Sequence, residues 1–321
     1  MSNSTSAALA DRVCAADTRA IARAISIVED GGRLAADLVA TLHPRGGRAY
    51  LVGITGAPGA GKSTLVDGVA GELRGAGSRV GILAVDPSSP FSGGAVLGDR
   101  VRMQRHAQDP DVFIRSMATR GQLGGLARAT GDAAAVLDAA GFDVVLVETV
   151  GVGQDEVDIA RTADVTVVVL VPGAGDDVQA LKAGIMEIAD IFVVNKADRP
   201  GADRVVADVQ GLLGLESFPE GRWRPPVVRT EATGGAGIVD LVDALRQFRG
   251  QAVALMVRRR ARAAFRVREA LVAALMERLR TCLAPGEFEK AVEDVAARRL
   301  DPYLAARRLT ARLAAREDDD G

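Results

Sequence analysis

A glycine-rich stretch early in the chain has the residue types and the spacing of a phosphate-binding loop. It reads Gly56-Ala57-Pro58-Gly59-Ala60-Gly61-Lys62-Ser63 and fits the pattern G-x-x-x-x-G-K-[ST]. The glycines let backbone N–H groups face phosphates, Lys62 supplies a positive charge for the terminal phosphates, and Ser63 offers a hydroxyl to Mg²⁺. A predicted strand precedes the stretch and a predicted helix follows it, which argues against a chance glycine-rich turn. The pattern predicts a nucleotide site of the P-loop type.

A second motif has the chemistry to distinguish one nucleotide base from another. Asn195-Lys196-Ala197-Asp198 fits N-K-x-D and follows the predicted strand Ile191–Val194. The carboxylate of Asp198 can accept hydrogen bonds from the ring N–H and the exocyclic amine of guanine, and adenine offers neither at those positions. We expect Asn195 to brace the loop and Lys196 to lie along the base; a polar helix start is the alternative interpretation. Together with the P-loop, the motif predicts GTP.

Acidic residues at the ends of other predicted strands are candidates for binding magnesium. Glu148 opens the stretch E-T-V-G-V-G-Q, Asp86 ends an apolar run, and Asp99 lies a little further on. Carboxylates at strand ends near a P-loop hold Mg²⁺ or orient its water. For Asp86, a helix cap or a turn before the following proline is the alternative interpretation. Gln154 is a candidate for orienting water. The predicted metal ligands are Ser63, Asp86, Asp99 and Glu148.

The elements that must position these residues follow an alternating pattern. Segments of helical period, such as Ser63–Arg74 and Leu126–Ala140, separate short apolar runs. This alternation predicts an α/β fold, a P-loop NTPase with a mostly parallel sheet, helices on both faces and the nucleotide at the carboxyl ends of the strands. The runs are Ala49–Thr55, Val80–Val85, Val112–Ile114, Val144–Val147, Val165–Val171, Ile191–Val194 and Val227–Val228.

Helical segments flank this pattern on both sides. Residues 6–43 predict two helices that end near Pro44, and three helical stretches follow residue 250. The predicted domains are an N-terminal helical segment (1–47), a P-loop GTPase domain (48–250) and a C-terminal helical extension (251–321). The run Arg258–Arg262 is a candidate patch for nucleic acid or an acidic partner, although such runs are more often a solvated helix face.

Composition argues against several other classes of protein. The 321 residues are 48% hydrophobic and carry 40 basic and 42 acidic side chains, so no basic excess indicates nucleic acid. The longest apolar run is too short to cross a bilayer, and the N-terminus lacks the pattern of a secretory signal. Cys14 and Cys282 do not form a disulfide framework, and His43 and His106 are isolated, which indicates surface or packing roles. We expect a cytoplasmic protein.

These motifs together resemble the MeaB/ArgK family, whose human member is the methylmalonic aciduria type A protein. The resemblance covers nearly the whole chain and implies a GTP-hydrolysing chaperone of adenosylcobalamin-dependent acyl-CoA mutases, chiefly methylmalonyl-CoA mutase. The resemblance also implies that the protein gates cofactor loading and protects or reactivates the mutase, and that it is a homodimer through the C-terminal arm, as members of the family commonly are. The stretches that carry the resemblance are Gly56–Thr64, Val85–Pro90, Gly98–Met103, Glu148–Gln154, Gly173–Lys182 and Asn195–Asp198.

The resemblance also implies roles for individual residues. Asp86, Asp99 and Glu148 match functional acidic residues around Mg²⁺, and Lys182 matches a lysine linked to partner-stimulated hydrolysis. Thr230-Glu231-Ala232 stands where the family usually has T-S-A in the loop behind the guanine, so a glutamate replaces a small serine. The predicted catalytic residues are Lys62, Asp99, Glu148 and Lys182. The predicted GTP contacts are Gly56, Ala57, Pro58, Gly59, Ala60, Gly61, Lys62, Ser63, Thr64, Asn195, Lys196, Asp198, Glu231 and Ala232.

The expected reaction is in-line attack of water on the terminal phosphate, with Lys62 and the P-loop amides stabilising the developing charge. No residue is a convincing general base, so we expect slow intrinsic hydrolysis that a partner accelerates. The chain has no Asp-x-His-x-x-Gly, which predicts that any cobalamin is carried by the partner, and no Cys-x-Cys-Cys, which argues against metal-insertion GTPases. The alternatives are a transport-linked ATPase or kinase and a non-catalytic GTP-binding scaffold.

Overall fold

The computed structural model of the chain describes residues 3–86, 104–106, 108–118, 125–149, 159–173, 186–219 and 222–317. The predicted site residues Asp99 and Lys182, and the candidate Gln154, lie outside the described residues. Asp86 is described by its backbone only. The chain divides into two compact units, Met1–Phe265 and Arg266–Gly321.

A parallel sheet of seven strands forms the centre of the first unit, with the strand order β3-β2-β4-β1-β5-β6-β7. Its strands are rich in valine and isoleucine, and those in the middle of the sheet are buried on both faces, which is the pattern of a sheet covered by helices on each side. The predicted fold class, a mostly parallel P-loop sheet, is confirmed. The strands are β1 (Tyr50–Gly56), β2 (Val80–Asp86), β3 (Val112–Ala118), β4 (Val144–Thr149), β5 (Val165–Leu170), β6 (Ile191–Val194) and β7 (Val227–Arg229).

Helices cover both faces of this sheet. Along β4, Val144 and Leu146 pack into one buried cluster, while Val145 and Val147 pack into the other, as expected for side chains that alternate along a strand. In the described parts of both units, the helices of ten or more residues are α1 (Asn3–Cys14), α2 (Thr18–Asp30), α3 (Gly32–Leu42), α4 (Lys62–Gly75), α5 (Gly125–Ala139), α6 (Ala202–Leu215), α7 (Ile238–Arg249), α8 (Ala252–Cys282), α9 (Glu287–Ala296) and α10 (Pro302–Glu317).

The N-terminal region has three helices, so the prediction of two is wrong. Asp17 caps α2, because its carboxylate accepts hydrogen bonds from the backbone N–H groups of Arg19 and Ala20. Gly31 separates α2 from α3 with a φ of 74°, a conformation that favours glycine. Together α1, α2 and α3 pack against α5 in one of the two main buried clusters.

The start of α8 is tied to the sheet by ion pairs, so the interpretation of Arg258–Arg262 as a solvated face is wrong. Nη2 of Arg258 lies 2.6 Å from Oδ1 of Asp190, and Nη1 of Arg262 lies 2.8 Å from Oδ1 of Asp164. Asp164 is fully buried and precedes β5, and Asp190 precedes β6. Burial raises the pKa of the Asp190 carboxyl, although Arg258 opposes that shift.

Within the described ranges, no helix combines the length and the apolar character needed to cross a bilayer.

Candidate functional site

The glycine-rich loop connects the end of β1 at Gly56 with the start of α4 at Lys62, in the strand–loop–helix arrangement that the sequence predicts. Gly56 has a φ of 144°, and a Cβ atom there would overlap the carbonyl of Val169 on β5. Gly61 has a φ of 86°, and a Cβ atom there would lie 2.5 Å from Nδ2 of Asn195. These positions therefore need glycine both for their backbone conformation and for the close approach of neighbouring strands and loops.

The two side chains that open α4 lie inside the site. Lys62 is only 5% exposed, and its ammonium group donates to the carbonyls of Gly56 at 2.7 Å and Ala57 at 2.9 Å. The hydroxyl of Ser63 donates to Oε1 of Glu148 at 2.6 Å. This contact arises because β4 pairs with β1 in parallel register, which brings the end of β4 beside the P-loop. The structure therefore brings together three residues that are predicted separately from the sequence.

The base motif is hydrogen bonded to the P-loop itself. Nδ2 of Asn195 donates to the carbonyl of Ala60 at 2.8 Å, and Nζ of Lys196 donates to the carbonyl of Gly59 at 2.7 Å. Oδ1 of Asn195 accepts from Oγ1 of Thr230 at 3.0 Å and from the backbone N–H of Ala232 at 3.1 Å. Asn195 thus holds three loops together in a buried position. Sequence reasoning missed the role of Thr230, although its place directly after the short strand β7 is a usable signal.

The loop that contains Glu231 forms a tight turn. The backbone N–H of Glu231 donates to the carbonyl of Ala236 at 3.0 Å, and its own carbonyl accepts from Gly234 at 3.1 Å and Gly235 at 2.8 Å. The carboxylate of Glu231 lies against Gly234, where a Cβ atom would be 2.8 Å from Oε1. Asp198, in contrast, is exposed. The glutamate is therefore accommodated by a neighbouring glycine.

The described residues include part of the predicted magnesium site. The hydroxyl of Ser63 and the carboxylate of Glu148 are hard oxygen donors of the kind that Mg²⁺ prefers, and these two residues would hold the cation. The backbone of Asp86 ends β2, which pairs with β4 beside Glu148. Among the residues that the structure describes, no group of three or more His, Cys, Asp or Glu side chains is arranged to hold a metal.

A parallel sheet with a phosphate loop between β1 and α4, and an N-K-x-D motif after β6, defines the class of P-loop GTPases. Comparison with known proteins gives the family. Residues 21–284 match the family described as methylmalonyl Co-A mutase-associated GTPase MeaB, and the chain belongs to it. It is therefore a guanine-nucleotide-binding protein that hydrolyses GTP, and the predictions of family and enzyme class are confirmed.

Individual relatives are similar over different shares of the chain. A protein of Pyrococcus abyssi that is named as a GTPase is 52% identical over 303 residues, which cover 93% of this chain and 94% of the relative. The mouse methylmalonic aciduria type A homolog, a mitochondrial protein, is 41% identical over 64% of this chain and 50% of its own length. A crystal structure described as an LAO/AO transport system kinase superposes with a TM-score of 0.69 at 25% identity, covering 97% of this chain and 98% of that one.

Proposed function

We propose that this protein is a magnesium-dependent GTPase that acts as a chaperone of an adenosylcobalamin-dependent acyl-CoA mutase, with methylmalonyl-CoA mutase as the client. In this function it gates the loading of the cofactor and protects or reactivates the mutase. The observation that carries the GTPase part is the position of Asn195, which joins the base motif, the P-loop and the Thr230 loop through hydrogen bonds of 2.8 to 3.1 Å. A site in which base recognition and phosphate binding are mechanically joined is suited to a nucleotide-dependent switch.

The chain's own residues supply most of the charge that hydrolysis requires. Lys62 is held inside the loop by two carbonyls and can transfer its hydrogen bonds to the phosphates, while the loop amides and the start of α4 stabilise the developing negative charge. Ser63 and Glu148 would hold magnesium, with Asp86 and Asp99 as the remaining predicted ligands. Magnesium, when bound, neutralises charge on the phosphates.

The described part of the site contains groups that stabilise charge rather than a placed general base. The carboxylate of Glu148 accepts a hydrogen bond from the hydroxyl of Ser63, which favours a role in holding the metal. We therefore expect slow intrinsic hydrolysis of GTP, which becomes faster when a partner orders the remaining groups. Lys182 is the residue predicted to take part in this stimulation. A chaperone that responds to the state of its client requires this dependence of GTP hydrolysis on a partner.

The names of the family and of one relative support a mutase as the client. The family is described as methylmalonyl Co-A mutase-associated, and the mouse relative is named after methylmalonic aciduria. The test is GTP turnover by the purified protein alone and with an adenosylcobalamin-dependent methylmalonyl-CoA mutase. The proposal expects turnover to rise with the mutase, and a Lys62→Ala variant mixed with the same mutase controls for contaminating activity. Turnover that is indifferent to the mutase would contradict the client and leave the GTPase in place.

A second candidate function is a transport-linked kinase or ATPase, which the name of the superposed crystal structure favours. The two functions differ in the nucleotide that they need. Asp198 can accept hydrogen bonds from the ring N–H and the exocyclic amine of guanine, and adenine has neither group at those positions. Turnover selective for ATP would support the second candidate. A scaffold that binds GTP without hydrolysing it would show affinity for GTP but no release of phosphate.

The second unit presents an apolar surface that we propose binds a second copy of this chain. Val267, Leu271 and Leu275 recur at four-residue spacing on α8 and are 68%, 56% and 48% exposed. Such a stripe on one helix is typical of a helix–helix interface. Light scattering of wild type and a Leu271→Glu variant tests this: the wild type should have the mass of a dimer and the variant that of a monomer. A wild-type monomer would contradict the proposal.

The cytoplasm is the proposed compartment.

A further inference from the structure

A glycine, Gly68, lies in the middle of α4, the helix that carries the phosphate-binding side chains. Glycine destabilises a helix interior relative to alanine, so its presence calls for a packing reason. A Cβ atom at Gly68 would lie 3.1 Å from Cδ1 and 3.3 Å from Cγ1 of Ile238, which is the first residue of α7 and is buried. The absent side chain of Gly68 therefore lets the start of α7 pack closely on α4. We call this contact between Gly68 and Ile238 the α4–α7 notch.

The α4–α7 notch lies at the end of the loop that contains Ala232, a predicted contact of the nucleotide. The loop starts at Thr230, whose hydroxyl donates to Oδ1 of Asn195 at 3.0 Å, and the backbone N–H of Ala232 donates to the same oxygen at 3.1 Å. Five residues after Ala232, the loop ends where α7 begins. The loop is thus held at its start by the base motif and at its end by the helix that follows the P-loop.

The far end of α7 is fixed by separate contacts. The hydroxyl of Tyr50, the first residue of β1, donates to the carbonyl of Leu245 at 3.2 Å. The ring of Phe248 packs edge-on against Trp223, with 5.2 Å between the ring centroids. Leu245 and Phe248 are both buried. A displacement of the start of α7 is therefore not taken up by a shift of the whole helix, and it is passed to the loop before it.

We propose that Gly68 and Ile238 are positioning residues for guanine binding, which set the distance between the P-loop helix and the loop behind the base. A side chain at position 68 would displace Ile238 by a few tenths of an ångström. The hydrogen bond from Ala232 to Asn195 is already long at 3.1 Å, so the same displacement of the loop would weaken it. This inference rests on the guanine-binding role of the N-K-x-D motif in the function proposed above.

The test compares the binding of GDP to full-length Gly68→Ala and Gly71→Ala by titration calorimetry. Both variants replace a glycine of the same helix, but a Cβ atom at Gly71 would lie 3.8 Å from Cε1 of His106, which is an ordinary van der Waals distance. Gly68→Ala should bind GDP about fivefold more weakly than wild type, as expected for one weakened hydrogen bond, and Gly71→Ala should bind it as tightly as wild type. Adding Ile238→Val to Gly68→Ala removes Cδ1 and should restore most of the affinity.

Inorganic pyrophosphate separates the position of the loop from general damage to the site. It carries phosphates without a base, and its affinity is measured by displacement of a fluorescent GDP analogue. Gly68→Ala should leave the affinity for pyrophosphate unchanged, because the P-loop backbone does not contact Ile238 through this notch. An equal loss of affinity for GDP and pyrophosphate would overturn the inference, since the substitution would then act on the phosphate-binding helix itself.

The outcomes also separate the inference from the function on which it rests. If the wild type binds ADP as tightly as GDP, the proposed base recognition fails and the inference falls with it. If the wild type prefers GDP, and Gly68→Ala and Gly71→Ala bind it equally well, only the inference is overturned.

A second pair of variants decides if Gly68→Ala does not fold. Ile238→Ala empties the α4–α7 notch, and Val239→Ala is its control, because the neighbouring Val239 is 51% exposed. Weaker binding of GDP by Ile238→Ala than by the control, with equal binding of pyrophosphate, supports the inference. Equal binding of GDP by the two variants overturns it.

Discussion

Replacing Asp164 with alanine tests how the start of α8 is held on the sheet. Oδ2 of this fully buried carboxylate accepts a hydrogen bond from the backbone N–H of Leu51 at 3.1 Å. Oδ1 lies 2.8 Å from Nη1 of Arg262 and 3.5 Å from Nε of Arg259. One side chain therefore joins the beginning of β1 to two turns of the helix. Its removal leaves two guanidinium groups and a buried N–H without this partner.

The magnitude follows from these contacts. Removing one partner of a buried ion pair destabilises a protein by about 3–5 kcal/mol. Arg259 and Arg262 have 38% and 21% of their side chains exposed, so water partly replaces the lost carboxylate, which favours the lower end of that range. The orphaned N–H of Leu51 adds about 1 kcal/mol or more. We expect a total loss of about 3–4 kcal/mol, which corresponds to about 6–8 °C in Tm at about 2 °C per kcal/mol.

Scanning calorimetry of Asp164→Ala measures this loss, and two further variants show its origin. Asp164→Asn keeps an acceptor for Leu51 and loses only the charge, so its Tm should lie between those of wild type and Asp164→Ala. Asp243→Ala removes an ion pair on α7 whose side chains are 50% and 51% exposed, and should change stability by about 0.5 kcal/mol or less. If Asp164→Ala melts within about 2 °C of the Asp243→Ala control, the ion-pair argument is refuted.

Further predictions concern the site and its surroundings. Lys62→Ala should lower GTP turnover at least about a hundredfold, measured as phosphate release, because a preorganised charge at the phosphates is lost. Asp198→Asn should weaken GTP binding by about a hundredfold and favour xanthine nucleotides, which carry a carbonyl in place of the exocyclic amine; titration calorimetry with both nucleotides measures this. Gly61→Ala should weaken GTP binding in the same assay, since its Cβ would displace Asn195. The hydrogen bond from Arg74 lowers the pKa of the Asp109 carboxyl, so this contact stabilises the folded protein. Its contribution to stability is complete above the carboxyl's ordinary pKa of about 4 and is lost as the pH falls through the lower pKa of the folded state. Melting curves should therefore show Arg74→Met less stable than wild type at neutral pH and nearly equal to it in strong acid.

The parts of the fold that were predictable depend on local sequence. The P-loop spacing requires glycines at fixed positions, and the strands are short runs of valine and isoleucine, so both can be recognised within a few residues. The prediction of two helices fails at the N-terminus, where the cap at Asp17 and the positive φ at Gly31 mark the ends of separate helices. A side-chain cap at Asp17 and positive φ values at Ala16, Gly31 and Gly32 are small signals beside the alanines that recur through all three helices.

Contacts between distant residues could not be predicted in the same way. Asn195 bonds to Ala60 across 135 positions, and Arg258 pairs with Asp190 across 68. In the sequence each of these residues has an ordinary explanation, such as a polar helix start or a solvated run of charge. The sheet order decides which of them meet, because it places the starts of β5 and β6 under α8 and the ends of β1 and β6 around the nucleotide loops.

The most direct test of the account is the ratio of kcat/KM for GTP and ATP, measured with the purified protein and magnesium. The account predicts turnover of GTP with a preference over ATP of at least about a hundredfold, because Asp198 pairs with groups that adenine lacks. Equal turnover of both nucleotides, or a preference for ATP, would contradict the assignment of the N-K-x-D motif and with it the proposed GTPase.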